Sequence, residues 1–299
     1  MRILITGSNG LLGQKLVQLI TEQSRHELIA TARGENRLPY EKGYEFESLD
    51  ITNQQEVMDV VGKHKPDVII NTAAMTNVDQ CETEQEDCWK LNVTAVDNLI
   101  EASKKQNAFL LQLSTDFIFD GEDGPYNEEA EANPVSYYGE SKLAAEKLII
   151  QSKIDWAIAR TVLVYGIAHD MSRSNIILWV KKSLEEGKEI QVVDDQWRTP
   201  TLAEDLAKGC LLIAEKKAKG IFNISGDDLL TPYEMAIKTA EFFNLPQTTM
   251  TKSDSTKFKQ TAKRPPKTGF ILDKAKRELG YTPHSFEEGI KVLAEQMKK

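Results

Sequence analysis

Short apolar runs alternate with amphipathic segments through the first 160 residues of the chain. "RILITG" (2–7), "ELIATAR" (27–33), "YEFESLD" (44–50), "DVIINTAA" (67–74), "FLLQLST" (109–115) and "WAIAR" (156–160) each read as a buried strand. Between them, "LLGQKLVQLITEQ", "NQQEVMDVVGKHK", "CWKLNVTAVDNLIEASKK" and "YYGESKLAAEKLIIQ" place apolar residues at helical spacing. Strand–helix alternation with short connections predicts βαβ units and a doubly wound parallel sheet. Beyond residue 166 the pattern loosens. Helical "NIILWVKKSLEEG" and "YEMAIKTAEFFN" mix with short strands "EIQVVD" and "GIFNIS", and with the loops "DDQWRTPT" and "KFKQTAKRPPKTG". The expected organisation is a dinucleotide-binding unit over 1–165, to which the chain returns around 200–225, and a smaller, irregular α/β lobe over 166–299. Ligands of such sheets sit at the carboxyl ends of the strands.

A glycine turn gives the alternation a chemistry. "TGSNGLLG" places Gly7, Gly10 and Gly13 directly after the first strand and at the opening of a helix, with Asn9, Leu11 and Leu12 between and beside them. Glycines permit a tight turn and close approach of a pyrophosphate, which the free N–H groups and dipole of a helix N-terminus favour. The spacing is G-x-x-G-x-x-G rather than G-x-G-x-x-G, but its position between strand and helix makes this a Rossmann-like unit. At the end of the second strand, where an acid would hold a ribose 2′-hydroxyl, stands Arg33, with Arg37 close behind. A guanidinium suits a 2′-phosphate, so NADP(H) is favoured and NAD(H) stays open. Asp50, followed by Ile51, is an expected adenine neighbour.

Two further segments supply candidate reacting groups. "LSTDFIFDG" ends a buried strand with Ser114, Thr115 and Asp116. "NPVSYYGESKLAAEK" carries Tyr138 and Lys142, four residues apart and therefore on one helical face. A nearby cation stabilises phenolate and lowers a pKa that is ordinarily about 10. A hydroxyl such as that of Thr115 can hydrogen-bond the oxygen being protonated. This is equipment for reducing a carbonyl, or for the reverse oxidation, with hydride from a nicotinamide.

Composition narrows the partners. Lys plus Arg number 37 against 46 Asp plus Glu, a net charge of -9, which argues against a binder of nucleic-acid backbones. Cys81, Cys88 and Cys210 form no metal cluster by spacing, and the seven residues from Cys81 to Cys88 favour neither a disulfide nor a zinc arrangement. Free thiols in a reducing compartment are expected. The four histidines are scattered, so no metal site is expected. No run is apolar enough to span a membrane, and a strand starting at residue 2 leaves no room for a signal peptide, which makes the cytoplasm the default.

Taken in order, "TGSNGLLG", "NTAAMTNVD", "LNVTAV", "STDFIFDG", "YGESK" and "RTVLVYG" resemble the extended short-chain dehydrogenase/reductase family over nearly the whole chain. The segments around "STDFIFDGEDGPYNEE" and "NPVSYYGESKLAAE" are most similar to its dTDP-4-dehydrorhamnose reductases. The resemblance implies an NADP(H)-dependent oxidoreductase acting on the C4 carbonyl of a nucleotide-linked 4-keto-6-deoxy sugar in dTDP-rhamnose biosynthesis, and a homodimer. Tyr138 would give the proton, Lys142 would tune it and hold the nicotinamide ribose, and Thr115 would orient the carbonyl. Asp116 would contact the sugar, Ala73 and Ala74 would line the cofactor groove, and Asn92 would support the neighbouring backbone.

The chain departs from the family's pattern at Trp197-Arg198, where a small residue is usual, and at Phe117, where tyrosine is usual. Trp197 and Arg198 are therefore expected to face the substrate, the alternative being a packed tryptophan beside an exposed arginine. Two other readings stay open. One is a different enzyme of the family, such as an epimerase or a dehydrogenase of another carbonyl. The other is an NADP-binding regulatory subunit like the β subunit of methionine adenosyltransferase.

Overall fold

The computed structural model describes residues 1–23, 25–39, 42–170, 174–258 and 260–298; Lys259, within the second of the loops quoted above, lies outside them. The strands are β1 (Arg2–Thr6), β2 (Glu27–Ala32), β3 (Glu45–Ser48), β4 (Val68–Asn71), β5 (Phe109–Thr115), β6 (Trp156–Thr161), β7 (Val164–Tyr165), β8 (Ile190–Val193), β9 (Thr201–Leu202), β10 (Gly220–Asn223) and β11 (Met250–Ser253). The helices are α1 (Leu11–Gln23), α2 (Gln54–His64), α3 (Val78–Thr83), α4 (Gln85–Trp89), α5 (Ala95–Gln106), α6 (Tyr137–Gln151), α7 (Ile176–Glu185), α8 (Ala203–Lys216), α9 (Pro232–Phe242) and α10 (Phe286–Gln296).

Seven strands form one parallel sheet in the order β10-β6-β5-β4-β1-β2-β3. Successive strand residues point to opposite faces, and here both faces are covered. Ile3 and Ile5 enter the core that also holds Leu16, Val17 and Ile20 of α1 and Leu206 and Cys210 of α8. Leu4, between them, enters a second core with Val57 and Val61 of α2, Leu99 of α5 and Ile149 of α6. Phe109 and Leu111 against Leu110 repeat the division in β5. The strand order reverses between β1 and β4, which are parallel neighbours in register from Ile3↔Val68 to Thr6↔Asn71. This is the fold predicted from the alternation: an α/β, Rossmann-like, doubly wound sheet.

Two expectations are corrected. The strand read from "YEFESLD" is not buried: β3 is the outer edge, and Glu45 and Ser48 are exposed. At that edge Glu45, Glu47 and His64 bring ligand-type atoms within 4.8 Å of one another, but Glu47 is already paired with His64 and with Lys63. The single helix read over "CWKLNVTAVDNLIEASKK" is broken by one wide π-helical turn, Lys90–Thr94, between α4 and α5. Helices α8 and α10 carry no expectation at all from the sequence reading above. The chain returns to the sheet through α8, which packs on α1, and β10, which pairs with β6. Outside the sheet, β8 and β11 pair in parallel over α7 and α9. Among the described residues no helix is long and apolar enough to cross a membrane.

Candidate active site

The glycine turn leaves β1 at its carboxyl end with no space for side chains. Gly7 has φ 71°, and a Cβ there would stand 2.8 Å from the backbone nitrogen of Ala73. At Gly13 a Cβ would lie 2.3 Å from the carbonyl oxygen of Gly7, so only glycine lets α1 start this close to the turn. Ala73 is thereby pressed against the turn, with its N–H donating to Asn71 Oδ1 at 3.2 Å. Asn9 spends its amide on the loop after β2: Nδ2 donates to the Glu35 carbonyl and Oδ1 accepts from the Arg37 N–H, each at 2.9 Å. Arg37 approaches Asp170 at 3.9 Å, whereas exposed Arg33 stands near Asp50. Burial raises Asp50's pKa, but hydrogen bonds from Thr52 and the charge of Arg33 hold it below the ordinary value. Ile51 is packed in the core with Val57 and Val61, and its carbonyl accepts from Asn98. The apolar side chain following Asp50 goes inward under α2 and α5.

Beneath the turn runs a buried polar ladder that the sequence reading missed. Thr6 donates to Asn71, and Asn71 Nδ2 donates to Gln112 Oε1 at 2.7 Å, crossing β1, β4 and β5 near their carboxyl ends. Three polar residues inside otherwise apolar strands were the available signal.

At the end of β5, Thr115 and Asp116 meet the start of α6. Ser136 caps that helix by accepting from the Gly139 N–H. A Cβ on Gly139 would approach the Phe117 carbonyl oxygen to 2.2 Å, so the glycine lets α6 abut the turn after β5. That contact delivers Tyr138, Lys142, Thr115 and Asp116 to one buried place. Burial pushes the Tyr138 phenol well above its ordinary value, and a hydrogen bond with Thr115 pulls against that shift. Lys142 Nζ donates to the Leu113 carbonyl at 2.7 Å. Burial lowers its pKa to about 8, with Glu146 opposing. Glu146 itself forms a buried two-point pair with Arg160, at 3.0 and 2.7 Å. Desolvation dominates the phenol, and the ammonium is tied to β5.

Asn92 is turned inward by the π-helical turn and buried. It accepts from the Met75 N–H at 2.8 Å and donates to the Met75 carbonyl at 3.1 Å, and it also donates to Ser141 Oγ at 3.0 Å. Ala74 lies on the same segment, between Ala73 and Met75.

Two loops from the second half of the chain close over Asp116. The Thr115 hydroxyl donates to Asp116 Oδ1 at 3.1 Å, Thr268 donates to Oδ2, and Arg198 Nε stands 3.9 Å away. Burial raises the pKa of Asp116, against the charge of Arg198 and these hydrogen bonds. Asp116 is thus committed to protein partners rather than presented to a sugar. Arg198 is likewise 5% exposed and donates to the carbonyls of Trp197, Pro265 and Pro266, whereas Trp197 is 37% exposed. The packed-tryptophan, exposed-arginine alternative is reversed: three backbone carbonyls and one carboxylate satisfy the guanidinium inside, and the indole is left at the surface.

The same loop is latched at its other end by Asp79 of α3. Arg264 donates to both Asp79 oxygens, at 3.1 and 2.6 Å, and the Thr261 and Ala262 N–H groups also donate to Asp79. Arg264's hydrogen bonds lower Asp79's pKa to about 2. The folded pKa lies below the unfolded one, so the latch contributes at pH above about 4 and is lost as pH falls towards 2. Asp79→Asn is expected to destabilise the protein by about 1 kcal/mol, screening included, and to flatten the acid limb of a urea-midpoint pH profile.

The residues present fit a dinucleotide: the turn is a cradle that a Cβ would fill, and the buried hydroxyls Ser8 Oγ and Ser114 Oγ have no partner. Similarity to known proteins agrees with this geometry. A model of the RmlD substrate binding domain matches residues 1–299. The chain is 34% identical to methionine adenosyltransferase 2 subunit beta of Xenopus laevis over 82% of this chain and 73% of that protein. It is 31% identical to the dTDP-4-dehydrorhamnose reductase of Aggregatibacter actinomycetemcomitans over 97% of both. The solved dTDP-4-dehydrorhamnose reductase of Bacillus anthracis, in complex with NADP, superposes with a TM-score of 0.85 at 27% identity over 99% of both chains. The chain belongs to the extended short-chain dehydrogenase/reductase family, in the branch described by the RmlD substrate binding domain.

Proposed function

We propose that the chain is an NADP(H)-dependent reductase of the C4 carbonyl of a nucleotide-linked 4-keto-6-deoxy sugar. The observation that carries this reading is that Tyr138 meets Thr115, and Lys142 meets the Leu113 carbonyl, at the carboxyl end of β5. Gly7, Gly10 and Gly13 would hold the diphosphate, Arg33 a 2′-phosphate, and Lys142 the nicotinamide ribose. The bound nicotinamide supplies the hydride. Tyr138 keeps its phenol proton at neutral pH because burial raises its pKa, and so acts as an acid rather than a base. Thr115 is within hydrogen-bonding reach of that oxygen and can orient a carbonyl placed there. The smaller lobe would close the sugar pocket, with Trp197 as its exposed aromatic wall.

NADP(H) is favoured over NAD(H) by the arginines at the end of β2, and a 27%-identical relative is solved with NADP. A second reading, a regulatory nucleotide-binding subunit, is supported by the 34% identity to the methionine adenosyltransferase beta subunit. Loss of NADPH absorbance with enzymatically generated dTDP-4-dehydrorhamnose tests the choice. Consumption of NADPH, and much slower consumption of NADH, is expected. Absence of turnover with NADPH bound would favour the regulatory reading.

A further inference from the structure

Directly behind Tyr138 lie two thiols that the proposed reaction does not use. Cys81 of α3 and Cys88 of α4 are both fully buried and pack in one cluster with Tyr138. Their spacing in sequence argued against a bond, but the chain bends at Glu84 between the two short helices and brings both side chains into one buried cluster. Independent contacts place them in one network. Cys81 Sγ is 3.7 Å from the Met75 carbonyl, which accepts from Asn92 Nδ2 at 3.1 Å, and Asn92 Nδ2 is 3.4 Å from Cys88 Sγ. Cys88 Sγ is also 3.5 Å from Ser141 Oγ, on the residue before Lys142. Both thiols are free, and the segment that covers them is a surface excursion whose residues 83–87 are all exposed.

We propose that Cys81 and Cys88 are a dithiol oxidation site, closing to an intrachain disulfide. Two S–H bonds break and one S–S bond forms; the two electrons and two protons pass to the oxidant, a diazene or an organic disulfide. Cys88 is the attacking sulfur: its neighbours Cys81, Ser141 and Asn92 and the charge of Lys142 hold its thiol below the ordinary value, against the effect of burial. Closing the bond to about 2.05 Å draws Cys88 away from Asn92 and from Ser141, the contact that ties α4 to the Tyr138 helix. On the reductase reading above, that displacement disorders the site and turnover falls by about 10²-fold.

The test is treatment of the full chain with diamide, followed by thiol titration under denaturing conditions, peptide mass mapping and turnover. The expected result is a Cys81–Cys88 cross-link, Cys210 as the one remaining thiol of the three, and turnover restored by dithiothreitol. Cys81→Ser should retain turnover and lose its sensitivity to diamide. Three free thiols after treatment, or a cross-link that includes Cys210, would overturn the proposal. The thiol readout stands even if the chain reduces no carbonyl, so failure of the reductase reading is separately visible.

Discussion

Tyr138→Phe is expected to lower the rate of carbonyl reduction by about 10²–10⁴-fold, the usual contribution of a positioned general acid. The ring would keep its edge-on contact with Phe117, 5.8 Å between centroids, and its place over Cys81 and Cys88. What disappears is the hydroxyl and its hydrogen bond with Thr115. Stability should therefore change by only about 1 kcal/mol, and cofactor binding hardly at all. Steady-state kinetics beside a fluorescence titration with NADPH separates these effects. Unchanged turnover in the variant would remove Tyr138 from the proton transfer.

Lys142→Met is expected to lose activity by about 10²-fold or more while holding the fold better than that loss suggests. Burial has brought the lysine's pKa from 10.5 to about 8, so below pH 8 the folded state holds an ammonium it would rather release. A shift of that size corresponds to a destabilisation on the order of 3 kcal/mol at neutral pH. The variant removes this penalty, but leaves the Leu113 carbonyl without its donor, at a cost of about 1–3 kcal/mol. The pH dependence is the sharper readout. Between about 8 and 10.5 the unfolded lysine binds a proton that the folded one has lost, so wild-type stability gains with pH in that window. The stability of Lys142→Met relative to wild type should thus be greatest near neutrality and decline as pH passes 8. Urea midpoints at pH 7 and near pH 10 decide it, and a difference that stays constant would contradict the burial argument. Wild-type turnover should fall as pH rises through about 8, because the charge beside the site is then lost.

Both predictions rest on residues that were legible before any coordinates. The reason is local. A strand buried on both faces is apolar at most positions, which is why β1, β4 and β5 stand out, and α1 and α6 begin and end as their apolar spacing indicates. Tyr138 and Lys142 share a helical face by period alone. Even the missed α10 had a local signal, the capping box of Ser285 and Glu288 ahead of an apolar stretch.

Other features depend on which distant segments meet. Nothing local makes Arg198 buried; two of the three carbonyls that receive it come from Pro265 and Pro266, nearly seventy residues on. Asp116 reads as a strand-end carboxylate until Thr268 and Arg198 arrive from two loops and take it up. Sequence spacing alone kept Cys81 and Cys88 apart, and a bend at one residue joined them beneath Tyr138. The sequence by itself determined the alternating sheet, the glycine cradle and the Thr115, Tyr138 and Lys142 set, because period, steric allowance and side-chain chemistry are local properties. Only the tertiary structure decided how those groups titrate and which loops close the site, because desolvation and long-range hydrogen bonds depend on what packs against each group.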